Sequence, residues 1–192
     1  MNDHSFIVAI AMPRKRTIPD HDLLGAALDI AHSAGPAALS FGTLSQRVGL
    51  AGSTLVQRFG TRTSLLQQTL LLAWDRLDDD TARAVAAAPP GPDGVVDLLV
   101  GLSGQYTRDD FADQLLLLRE DLRDPVLRAR GSAWLASLSA AIDERLGPGT
   151  GRLLVAQWQG TLTVWSFTRP ASLPDTVRYS ISDLVARLVV AP

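Results

Sequence analysis

Four side chains within six residues, Ser53, Thr54, Gln57 and Arg58, bring hydroxyl, amide and guanidinium groups together. That mixture suits a nucleic acid. Hydroxyls bond phosphate oxygens, a glutamine amide can pair with adenine, and an arginine fork fits guanine or phosphate. Arg47 precedes the group, and Thr61 and Arg62 follow it. From Ile30 to Trp74 the chain holds no Asp or Glu, as expected of a surface that meets phosphate. Arg14, Lys15 and Arg16 add a basic arm further upstream, suited to the minor groove or to phosphates.

The remaining reactive groups point away from catalysis. Cysteine is absent, and the three histidines, His4, His21 and His32, all lie near the start. The larger C-terminal part therefore has no imidazole base and no imidazole or thiolate ligand for a metal. Asp78-Asp79-Asp80 and Asp109-Asp110 are adjacent carboxylates, which diverge on a helix and read as solvated faces or caps. No Ser/His/Asp set, phosphate-binding glycine loop or metal-ligand spacing is found. The expectation is a non-enzyme without cofactor or metal.

The elements that must position the basic group are short helices. Leu44 and Val48 stand four apart on one apolar face, Gly49 supplies a turn, and Leu50 plugs it. Thr54, Leu55 and Arg58 lie on a second short helix closed by Phe59-Gly60. This order is a helix-turn-helix, whose second helix enters the major groove. Asp20 can start a preceding helix that Gly35-Pro36 ends, and Thr61 can cap a long helix that runs to Pro89-Pro90. Helices are also expected over 93–106, 109–123, 125–146, 151–168 and 174–190. No segment alternates with period two. The expected fold is all-α, with about nine helices. A basic arm (1–19) leads to a three-helix head (20–66) and a larger helical body (67–192), with the helix from Thr61 bridging head and body.

Leu44 to Leu65 resembles the DNA-binding domain of the TetR (tetracycline-repressor) family. That family's turn reads roughly Ala-x-x-Ala-Gly-Val, followed by Ser-x-x-Thr-Leu-Tyr-x-x-Phe-x-Ser-Lys-x-x-Leu. Here Thr54-Leu55 and Phe59-Gly60 keep that pattern and its offset from Gly49. Ala51 replaces the usual capping serine, Val56 the usual phosphate-touching tyrosine, and Arg62 the usual lysine. The resemblance covers about a quarter of the chain. It implies a transcriptional regulator, most often a repressor, that a small molecule releases from its DNA operator. The rival reading is a ligand-binding or interaction module whose DNA head has degenerated.

The body offers two further sets. Tyr106, Phe111, Trp134, Gln157 and Trp158 combine aromatic and amide groups suited to an apolar pocket, so the expected effector is apolar or weakly polar. Leu153 to Thr168 holds no charge over sixteen positions, as in a helix buried on most sides. Leu154, Trp158, Thr161 and Trp165 share one face of it, and Leu153, Gln157, Gly160 and Val164 the adjacent one. The resemblance makes this helix and the next a homodimer interface, with Leu153, Gly160, Val164, Ile181, Leu184 and Leu188 as its residues.

Composition agrees with a division into head and body. Of 192 residues 46% are hydrophobic, and the net charge is −2. Through residue 70, six basic residues face four aspartates, while the rest is net −4. A basic head on an acidic body suggests that one end meets DNA. Phe6 to Met12 is apolar for only seven residues, too short for a membrane span and without the pattern of a signal peptide. A cytoplasmic location is expected.

Overall fold

The computed structural model describes residues 18–104, 110–168 and 172–190. Nine α-helices and no strand are found among them: α1 (Asp20–Ala34), α2 (Phe41–Val48), α3 (Gly52–Phe59), α4 (Arg62–Ala87), α5 (Gly91–Ser103), α6 (Asp110–Arg123), α7 (Pro125–Leu146), α8 (Thr150–Thr168) and α9 (Leu173–Val190). A single 3-10 turn, Pro36–Ala38, links α1 to α2. The all-α expectation holds, and most boundaries fall within one or two residues of the periodicity. The exception is the end of α5, which closes at Ser103 rather than at the expected residue 106; its start at Gly91, φ 78°, lies two residues ahead of Asp93.

Two cores organise the helices. The head core gathers Leu23, Ala27, Leu39, Leu44, Leu55, Phe59 and Leu65, all nearly inaccessible. Burying each large side chain contributes about 1.5–3 kcal/mol. This core extends along α4 to Leu70 and takes in Leu117 from α6 and Leu127 from α7, so it does not close at residue 66. The body core joins α5, α7, α8 and α9 through Leu99, Trp134, Leu138, Ile142, Leu154, Trp158, Trp165, Val177 and Ile181.

Trp74 on α4 packs against both cores. Its indole N–H donates to Asp121 Oδ1 at 3.1 Å, tying the bridging helix to α6. Gln67 Nε2 donates to Asp124 Oδ2 at 2.8 Å. Arg130 on α7 reaches Asp75 at 3.1 Å and also pairs with Asp78, both on α4. The bridging helix is thus fastened to α6 and α7 along about three turns, from Gln67 to Asp78. No helix among the described residues is long and apolar enough to cross a membrane.

Candidate nucleic-acid interface

Local chemistry builds the helix-turn-helix. Ser40 caps α2: its Oγ accepts from Thr43 N at 3.1 Å, and Thr43 Oγ1 accepts from Ser40 N at 2.9 Å. This reciprocal pair satisfies two backbone donors left over at the helix start. Gly49 ends α2 at φ 72°, a left-handed conformation that glycine adopts without a Cβ clash. Ser45 Oγ donates to the Leu50 carbonyl at 2.6 Å and holds the turn closed. At Ala51, α3 starts without a side-chain cap, as the residue type requires.

Leu55 and Phe59 turn the inner face of α3 into the head core. The opposite face is left to solvent. Ser53 and Gln57 are exposed there and make no hydrogen bond to the described residues, and Thr54 beside them is half-buried. Arg47 on α2 is also exposed, and its nearest carboxylate, Asp29, stands 4.0 Å away, a surface pair worth little. Thr61 caps α4, its Oγ1 accepting from Ser64 N at 3.1 Å. The bridging helix begins at the edge of this surface, and its N-terminal dipole favours an anion there.

The other two arginines of the group are engaged inside the head. Arg58 donates from one Nη to the Ile18 carbonyl at 2.6 Å and to Asp20 Oδ1 at 3.1 Å. Its side chain is only 24% exposed. Arg62 donates from Nε to the Leu39 carbonyl at 2.7 Å, and from Nη2 to those of Pro36 at 2.8 Å and Ala37 at 3.3 Å. Charge alone makes them free donors for DNA. Their guanidiniums instead satisfy backbone carbonyls at the start of α1 and around the 3-10 turn, partners brought close only by folding. Arg14, Lys15 and Arg16 lie outside the described residues.

The aromatic set divides differently from the expectation. Trp134 and Trp158 are core residues, 4% and 1% exposed. Trp134 Nε1 donates to Thr81 Oγ1 at 3.0 Å, and Trp158 Nε1 to Ser103 Oγ at 2.8 Å. With Trp74 they form a tilted stack, centroids 6.0 and 6.3 Å apart, an arrangement favoured by the ring quadrupoles. They pack against one another and against core residues. Gln157 is exposed and donates to Ser180 Oγ at 2.8 Å. Tyr106 lies outside the described residues, as does the side chain of Phe111. Among the described residues no His/Asp/Glu group is placed to hold a metal.

The two faces of α8 separate as its periodicity suggests. Leu154, Trp158, Thr161 and Trp165 are buried, whereas Leu153, Gly160 and Val164 face outward, with Phe167 84% exposed at the end of the row. A Cβ added at Gly160 would meet nothing within 4 Å. On α9 the three expected residues lie against the body core. Ile181 is fully buried, and Leu184 and Leu188 are half-buried against the same body core. They occupy the inner stripe of a helix that also has an outer one, where Tyr179 and Val189 are exposed. The outer stripe is broken by Ser182 and Ala186 and so gives the weaker signal in sequence.

No protein-family model and no curated protein matches the sequence; the likeness is structural. A transcriptional regulator from Streptomyces coelicolor A3(2) superposes with a TM-score of 0.71 at 22% identity, over 90% of this chain and 100% of that one. The multidrug binding protein EbrR, solved with imidazole, gives 0.68 at 23%, over 92% and 98% of the two chains. A second Streptomyces coelicolor protein, a TetR-family transcriptional regulator, gives 0.69 at 16%, over 87% and 94%. Head and body both fall within these superpositions, and the chain has the fold of the TetR-family transcriptional regulators.

Proposed function

We propose that the chain is a homodimeric transcriptional regulator that binds an operator through α3. The observation that supports it most is the outer face of α3: Ser53 and Gln57 stand exposed and unpartnered on a rigid short helix backed by Leu44, Leu55 and Phe59. The chain itself holds no carboxylate from Ile30 to Trp74, and the one beside Arg47, Asp29, stands 4.0 Å away. Gln57 pairs with a base edge, Ser53 and Thr54 meet base or phosphate, and Arg47 and Thr61 meet phosphate on either side. Arg58 and Arg62 act by holding the head in shape.

Reading two half-sites requires two heads. The outer faces of α8 and α9, with Leu153, Gly160, Val164, Phe167, Tyr179 and Val189, supply the contact between copies. A small apolar or weakly polar molecule that enters the body and shifts α4 would separate the heads, giving a repressor released by its effector. To take the dimer from 1:99 to 99:1 the molecule must favour the released state by about 5.5 kcal/mol.

Selection of bound fragments from a random duplex library with the full chain tests the reading. Enriched sequences should form an inverted repeat with half-sites about one helical turn apart, and affinity should fall steeply as salt rises. A library that yields no enrichment would favour the rival module with a degenerate head.

A further inference from the structure

We propose that Val56 packs on the C5-methyl group of a thymine in the major groove, so that α3 selects A·T over G·C pairs. The inference rests on the operator-binding reading above and adds which base chemistry the helix reads. At 100° per residue, the inner face of α3 is Leu55 and Phe59, the outer face is Ser53 and Gln57, and the two flanks are Val56 and Arg58. The Arg58 flank is closed, because its guanidinium bonds the Ile18 carbonyl and Asp20. Arg62, next along the chain, is held by three carbonyls of the 3-10 turn region. The side chains that α3 presents are therefore Ser53, Thr54, Val56 and Gln57, all uncharged.

Guanine is read best by an arginine or lysine fork on O6 and N7, and α3 offers neither. A glutamine amide matches adenine N6 and N7. Val56 is the apolar member of the set and is 45% exposed. The apolar feature of a major-groove edge is the thymine methyl. Covering a methyl-sized group is worth about 0.8 kcal/mol, or about four-fold in affinity.

The test replaces thymines of the selected operator, one at a time, by deoxyuridine, which removes only the methyl group. One thymine per half-site should show about a four-fold loss with the wild-type chain and no loss with Val56→Ala, which is exposed and leaves the head core untouched. Binding that is indifferent to uracil everywhere overturns the inference and leaves operator binding standing. A uracil penalty that persists in Val56→Ala assigns the methyl to another group and overturns it as well. If no duplex is enriched in the first place, the inference falls together with the reading on which it rests.

Discussion

Arg62 Nε lies 2.7 Å from the carbonyl oxygen of Leu39, so the first residue of the bridging helix clamps the link between α1 and α2. Two further carbonyls, of Pro36 and Ala37, share the same guanidinium. A charged donor to backbone carbonyls typically stabilises by 1.5–3 kcal/mol, and the partial exposure of Arg62 lowers that. Arg62→Ala should cost about 1–2 kcal/mol in urea unfolding, and Arg62→Lys should recover little of it because an ammonium lacks the fork. Operator binding should weaken without a change in salt slope. A slope flattened by about one would return Arg62 to the phosphate contacts. Gln57→Ala is the contrasting variant: it should keep full stability and lose affinity.

That contrast marks the limit of what the sequence reveals. Local signals were legible: the Ser40 cap, the Gly49 turn, the Leu44–Val48 and Leu55–Phe59 spacings and the missing cap at Ala51 all depend on residues a few positions apart. The roles of Arg58 and Arg62 depend on carbonyls 40 and 23 residues away, and a positive charge looks the same in sequence whether it faces phosphate or a carbonyl. The burial of Ile181 is hidden for a related reason. A helix with two apolar stripes does not say which is spent inside its own protomer. The bonding of the tryptophans is not legible because indole N–H partners such as Thr81 and Ser103 are close only in the folded body.

The α6–α7 corner should give the head a measurable pH response through two carboxylates of opposite behaviour. Burial raises the pKa of Asp121 above the ordinary 3.8, helped by the charges of Asp124 and Glu120 and opposed by the Trp74 N–H. Burial also pulls on Asp124, but donation from Gln67, Leu127 and Val126 carries it below 3.8. For Asp121 the stabilising contribution is complete below pH 3.8 and lost as pH rises through its folded value. Asp121→Asn keeps an acceptor for Trp74, so it should match wild type in acid and exceed it at neutral pH. For Asp124 the contribution is present above pH 3.8 and lost as pH falls through its folded value. Asp124→Ala, which removes the cap of α7, should cost about 1 kcal/mol at neutral pH and less in strong acid, where the protonated side chain it replaces is a weaker acceptor. Urea unfolding from about pH 2.5 to 7 reads both slopes; parallel curves for Asp121→Asn and wild type would show that burial does not govern that group.

The outer face of α8 gives a clean test of assembly. At Gly160 an added side chain meets open space within the protomer, so Gly160→Glu should fold normally. Between two copies its carboxylate would be desolvated and unpaired. The expected product is a helical monomer by sedimentation, with weakened operator binding. Ile181→Glu should behave differently: a charge placed at a fully buried site should unfold the body and abolish helical signal together with assembly. A Gly160→Glu chain that sediments as a dimer would move the interface off this face.

Control by a small molecule should be visible in the tryptophans, since Trp134 and Trp158 lie within the body core. Trp74, Trp134 and Trp158 stack in sequence, and the first of them reaches both cores. Its bond to Asp121 joins the bridging helix to α6. A compound that parts Trp134 from Trp158 must therefore strain the path to α4, or leave the head where it was. Apolar and weakly polar compounds that quench the fluorescence are expected to weaken operator affinity, and the operator should weaken their binding by the same factor. Trp158→Phe keeps most of the buried area but drops the N–H bond to Ser103. It should lower stability by about 1 kcal/mol and bind such compounds more tightly, because less packing has to be undone. Compounds that quench strongly yet leave operator affinity unchanged would separate the body from the head, and the protein would then be a constitutive DNA-binding factor.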